Sequence, residues 1–203
     1  MKEIKVRATM IEELLGSQPG NPELHKTYIA SKAPDAKSKE EEIAAMGVEE
    51  FEERAMTFFH RNEDDIPCLM NYQIKGFFKS AAKVENDRTG SNLKKLTAFK
   101  KKIDLFVFVS GVDGSRFLPI TIPEGKSIGT CERTLRAQTM QGERVSIAKS
   151  ESVPAGSTVE FVVTVLDDSL LEYVKAWLDY GKFNGLGQWR NSGKGSFTWE
   201  EIK

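Results

Sequence analysis

Residues 185–197 read GLGQWRNSGKGSF and hold the most chemically suggestive side chains of the 203-residue sequence in one short span. Four glycines (Gly185, Gly187, Gly193, Gly195), Trp189, Arg190, Ser192 and Lys194 stand there without a single acid, so the local charge is positive and the backbone is free. Glycine reaches positive φ and lets another backbone come close. An indole offers a stacking face, and a guanidinium offers a planar fork that matches phosphate. The combination suits an anionic ligand. A surface loop that is glycine-rich only because it must turn has the same composition, and no Walker or dinucleotide fingerprint separates the two readings.

Other chemistries have less support. His25 lies in a connection rich in Gly, Pro, Asn and Ser (residues 16–34), and His60 follows a short apolar run beside Arg61. A solitary histidine in such a setting is more often a surface or satisfied residue than a general acid or base. The carboxylates crowd one helical stretch instead of forming a metal-ligand spacing, and no Ser/His/Asp arrangement is recognisable. The expectation is therefore no catalytic residue, no metal and no cofactor. Cys68 and Cys131 are too few and too far apart for a disulfide framework or a zinc site.

Net charge of −1 conceals a strong asymmetry. Residues 35–65 carry eleven acids against Lys37, Lys39, Arg54 and Arg61, a balance of about −7. Residues 72–102 carry nine cations, among them Lys75, Lys79 and Lys83, against Glu85 and Asp87, a balance of about +7. A basic face of this kind can hold a polyanion on a nearly neutral protein, because screening confines each patch to about 8 Å. Mutual neutralisation of the two segments in the fold is the alternative. No apolar run is long enough to span a membrane, and the N-terminus, MKEIKVRATM, is charged and alternating, unlike a signal peptide. A cytoplasmic protein with no membrane partner is expected.

The elements that must position the loop follow from periodicity. Residues 3–10 alternate as a half-buried strand. Ser38 and Glu41 form a capping box that opens acidic helices, an insertion over residues 35–65. Asn71 caps a helix with Ile74, Phe77, Phe78, Ala81 and Val84 on one face and a basic row on another. Residues 104–110 and 117–122 read as strands joined by the turn GVDGS. Residues 129–153, with Arg133, Arg136 and Arg144, read as an extended hairpin or loop projecting from the core. Residues 157–166 form the clearest strand. Asp167 or Asp168 caps a last helix whose stripe includes Trp177, Gly181 closes it as a C′ glycine would, and residues 196–202 return as a final strand after the glycine loop.

Three stretches together resemble the RAMP superfamily, the repeat-associated, RRM-like proteins of CRISPR effector complexes. The first is the helix start Ile74-Lys75-Gly76-Phe77-Phe78-Lys79. The second is Glu151-Ser152-Val153-Pro154-Ala155-Gly156-Ser157 leading into a strand. The third is the loop that follows the last helix. The likeness is to the backbone subunits that line up along guide RNA. There an "IKG" or "LKG" helix start follows a proline, a "vPAGt" turn enters a strand, and the chain finishes with a "GlGg-r-s-G-G" loop. This sequence places Gln188 where that loop has a glycine, is short, and carries the acidic insertion in addition. The chain is also similar to uncharacterised phage or prophage proteins.

The resemblance implies a single α+β domain over residues 1–203 with a ferredoxin-like (RRM-like) βαββαβ core. It further implies a non-catalytic protein that contacts the backbone of single-stranded RNA through Lys75 and Lys79 at the helix, Arg133, Arg136 and Arg144 in the projecting region, and Gly185, Gly187, Arg190, Ser192, Gly193, Lys194 and Gly195 in the loop. Copies of the chain, or CRISPR effector subunits, are the implied protein partners. A phage-encoded mimic or inhibitor docking onto effector subunits is the alternative, acting in the host cytoplasm. A histidine-dependent, metal-independent endoribonuclease is the third.

Overall fold

The computed structural model describes residues 1–19, 56–139 and 142–203, with the backbone alone for residues 135–139 and 142–146. His25 and the expected acidic helices lie outside the described residues.

Strand β1 (Lys2–Met10) buries Ile4, Val6, Ala8 and Met10 and turns Lys5 and Arg7 outward. Strand β11 (Thr158–Val165) runs antiparallel beside it, with Val163 opposite Ile4 and Phe161 opposite Val6. Because the side-chain period is two, a one-residue slip of either strand would turn its whole apolar set to the outer face, so this register is strongly specified. Strand β12 (Phe197–Ile202) takes the other side of β1, and β7 (Val107–Ser110) the other side of β11. With helix α1 (Asn71–Asp87) following β1 and helix α3 (Leu171–Asp179) following β11, the order β12-β1-β11-β7 is that of a ferredoxin-like βαββαβ core. Helix α2 (Phe99–Phe106) is an addition between α1 and β7.

Both long helices pack on the buried face. Phe77 meets Phe197 at 5.3 Å between ring centroids and Phe78 meets Trp177 at 5.8 Å, so α1, α3 and β12 share one aromatic cluster. Trp177 is 1% exposed, as expected from its stripe. On the opposite face Arg7 donates to Glu160 at 2.7 Å and to Glu200 at 3.2 Å, bridging β1 to β11 and to the edge strand β12 with charge.

Several local expectations change. The strand expected at 104–110 begins only at Val107, because the preceding residues complete α2. The segments around GVDGS do not pair with each other. Instead β7 and β8 (Phe117–Thr121) both pair with β11, one after the other, as a single strand line interrupted by the loop. Asn71 is the first helical residue and not the cap. Its side-chain Nδ2 donates to the Val109 carbonyl at 3.1 Å, while the Gln73 side chain closes the helix start by accepting from the Met70 amide at 2.7 Å. Gly181 is not among the positive-φ residues; a Cβ there would collide with the Phe197 ring.

The sheet extends from β8 through β6 (Pro67–Met70) to β5 (His60–Arg61). A second sheet has the order β2-β10-β4-β3, from β2 (Leu14–Leu15), β10 (Gly142–Val153), β4 (Thr57–Phe58) and β3 (Gln18–Pro19), with β9 (Gly129–Thr139) paired along β10 as a long hairpin. Glu151 of β10 accepts from the Phe59 amide at 2.8 Å and pairs with Arg61, fixing the β4–β5 segment to the hairpin base.

Candidate functional site

The glycine loop is built by close backbone contacts. Leu186, 2% exposed, plugs the core and donates its amide to the Gly195 carbonyl at 2.9 Å. The Gly195 amide in turn donates to the Glu13 carbonyl at 2.8 Å. A Cβ on Gly185 would overlap the Gly195 carbonyl group, so these two glycines exist to let the loop fold against itself. Room for a ligand comes instead from Gly76 on α1, where a Cβ would meet open space.

Between the loop and the start of α1 lies a cleft of about 510 Å³, walled by Ser17–Pro19, His60, Tyr72, Gln73, Gly76, Ser80, Gly185–Gly187 and Arg190. Gln73 donates to the Ser17 hydroxyl at 2.7 Å and so ties the helix start to the second sheet. Tyr72, 57% exposed, sits 3.2 Å from His60 Nε2 through its hydroxyl. Burial pushes the His60 imidazole below its usual value, so the neutral form prevails near pH 7. A neighbouring cavity of about 380 Å³ is walled by Arg133, Gly187, Gln188, Trp189, Arg190 and Asn191. Arg190 lines both hollows and makes no ion pair among the described residues.

The expected cations separate into two groups. Lys79 donates to Asp104 at 2.7 Å, and Lys75 lies 3.9 Å from the same carboxylate with its ammonium 5.0 Å over the Phe108 ring. Neither lines the cleft. The Asp104 carboxyl is held below its usual range by the Lys79 hydrogen bond. Lys194 is also engaged: it donates to Glu13 at 2.5 Å and lies 3.9 Å from Glu12. The Glu13 bond lifts the Lys194 pKa. Burial raises that of Glu13, but the Lys194 and Cys131 hydrogen bonds outweigh it and hold the carboxyl low. Lys194 therefore clips the loop to the β1–β2 connection.

Arg133, on β9, places its guanidinium 5.8 Å from the Trp189 ring centroid, beside Arg190. The Ser192 hydroxyl donates to the Trp189 carbonyl at 2.7 Å, and Gly193 takes positive φ in open space at the end of the same turn. Val145 stands opposite Arg136, and Arg144 opposite Ala137, which puts Arg136 and Arg144 toward the hairpin tip; their side chains lie outside the description. Sequence reasoning missed Ser17, Tyr72, Gln73 and Ser80. The spacing Tyr72, Gly76, Ser80 is a small and polar helical face that could have been read, whereas Ser17 and His60 arrive through long-range pairing. Among the described residues no group of three or more His, Cys, Asp and Glu could hold a metal ion, and no helix is long and apolar enough to cross a membrane.

No family model matches the sequence, and no curated protein matches it. Solved structures do. A chain in the cryo-EM structure of the Type III-B Cmr-beta bound to cognate target RNA superposes with a TM-score of 0.58 over 99% of this chain at 11% identity. This chain spans 58% of that one's length. A chain of a Type IV-B CRISPR complex gives a TM-score of 0.49 at 9% identity, covering 99% of this chain and 90% of the other. At the level of the fold, then, this chain is similar to a chain of the Type III-B Cmr-beta structure, in keeping with the ferredoxin-like core expected from its sequence.

Proposed function

We propose that the protein is a non-catalytic, single-stranded RNA-binding subunit of the CRISPR effector backbone type, holding RNA by its phosphates along the face made by the glycine loop and the start of α1. One observation carries this reading. Arg190, with no ion pair among the described residues, lines both of two neighbouring hollows, and Arg133 stands beside it. A desolvated ion pair would have spent those charges; unspent guanidiniums in a concave site favour a polyanion. Phosphate contacts of this kind position a strand without reading its sequence. The fold likeness to a chain from an RNA-bound complex supports the same reading.

The test is a fluorescence-anisotropy titration of mixed-sequence single-stranded RNA at several salt concentrations. Binding is expected to weaken as salt rises, with log K falling by about 0.7 per phosphate neutralised for each unit of log salt. Absence of salt-sensitive binding overturns the proposal. The partner reading, copies of the chain or other effector subunits on the same strand, is checked by sizing the protein with and without RNA. The docking alternative rests on the acidic segment 35–65, most of which lies outside the described residues.

A further inference from the structure

Trp189 is held at φ 53, a left-handed conformation that a bulky side chain seldom adopts. Three bonds fix it there. The Ser192 amide and hydroxyl both donate to the Trp189 carbonyl, at 2.9 and 2.7 Å, and the Gly193 amide closes the turn on Arg190 at 3.0 Å. Strain of this kind persists only where the surroundings impose it, and it concentrates at binding sites.

An indole could serve simply to pin the loop, but Leu186 already does so from inside the core, and Trp177 shows how this chain treats a tryptophan it uses for packing. Trp189 instead stays half-buried on the wall of the smaller cavity, with the Arg133 guanidinium over its ring. Arg190, the next residue, is shared with the larger cleft, where Tyr72 is exposed.

We infer that Trp189 is a stacking platform for one nucleobase, and that Arg190 holds the phosphate joining this nucleotide to a neighbour lodged beside Tyr72. The inference rests on the RNA-binding reading above and adds a base-recognising step to it. Stacking on an aromatic ring tolerates any base, because each presents a π face, and an arginine against the indole adds cation–π attraction. The loop would thus grip a strand by one base and one phosphate in register.

The decisive variant is Trp189→Gly, because glycine accepts the positive φ and leaves the loop path intact while removing the ring. Two ligands are compared: single-stranded RNA, and a ribose-phosphate strand of equal length without bases. Trp189→Gly is expected to fold with an unchanged melting temperature and to lose roughly 5- to 150-fold in RNA affinity, the range measured for one stacked base. Trp189→Phe is expected to keep most of the affinity. The base-free strand is expected to bind wild type and Trp189→Gly alike. RNA binding that is unchanged in Trp189→Gly, or an equal loss on both strands, overturns the platform while leaving RNA binding in place. A wild-type protein that binds neither strand overturns the RNA-binding reading itself, and the platform with it.

Discussion

Removing the Glu151 carboxylate tests how the cleft wall is held. Glu151, 6% exposed, accepts from the amide of buried Phe59 at 2.8 Å and pairs with Arg61, whose side chain is 31% exposed. Glu151→Ala leaves that amide without an acceptor, a cost of about 1–3 kcal/mol. It also leaves the Arg61 charge with only the exposed Asp65, at 3.9 Å, among the described residues. A fully buried broken pair costs about 3–5 kcal/mol, and hydration of the partly exposed guanidinium trims this to about 1–2 kcal/mol. A total of about 3 kcal/mol is expected, seen as a fall of about 6–12 °C in melting temperature for a chain of this size. Glu151→Gln keeps an acceptor for Phe59 and is expected to lose only about 1–2 kcal/mol. Because Arg61 adjoins His60 on β5, RNA affinity should drop in parallel. Urea and thermal unfolding of both variants decide the matter. A Glu151→Ala protein within about 1 kcal/mol of wild type, or a Gln variant as unstable as the Ala one, refutes the reasoning.

Three further outcomes follow from the site. Gly185→Ala must push the loop off the Gly195 carbonyl, so RNA affinity is expected to fall sharply while the helical circular dichroism is retained; unchanged affinity would show that the loop path does not matter. The Glu13–Lys194 clip depends on pH in a defined direction. Glu13 is held below its usual value of about 4.3, so its contribution is complete above that pH and is lost as pH falls through the lowered pKa. Lys194, held above its usual value of about 10.4, loses its contribution only on the alkaline side. Protection of the Leu186 and Gly195 amides against hydrogen exchange, relative to the intrinsic rate at each pH, should therefore fall on acidification below about pH 4 in wild type and show no such step in Lys194→Met. Burial opposes the charged form of His60, so acidification through about pH 6.5 destabilises the free protein. A phosphate in the cleft reverses that preference, so RNA affinity is expected to rise between about pH 7.5 and 5.5. His60→Gln should flatten that rise, and a wild-type affinity indifferent to pH would remove His60 from the contact.

What could be read from the sequence were features written in local periodicity. The alternation of β1 and β11 reports one buried face each, and the stripe through Val174, Trp177 and Leu178 reports the packing of α3, so these elements were legible, while their ferredoxin-like arrangement was an expectation from the resemblance to the RAMP superfamily. The boundary at Val107 was not, because the short run DLFVFVS fits the last turn of a helix and a buried strand equally well. Nor could β7 and β8 be told from a hairpin, since their common partner β11 lies far along the chain. Charge composition says nothing about the partners of single residues. Lys75, Lys79 and Lys194 look alike in sequence to Arg190, and only the fold brings Asp104 and Glu13 to the first three. The site itself depends on β3, β5, α1 and the loop converging, a juxtaposition that no local pattern encodes.

The central claim is that the cations without acidic partners among the described residues, and not the most basic stretch of sequence, hold the RNA. It is tested most directly by measuring the salt dependence of RNA affinity for two double variants, Arg133→Ala/Arg190→Ala and Lys75→Ala/Lys79→Ala. The first pair is expected to weaken binding and to lower the slope of log K against log salt by about 1.4, two phosphate contacts' worth on a single strand. The second is expected to leave the slope unchanged. A slope that falls for the lysine pair and holds for the arginine pair would contradict the account.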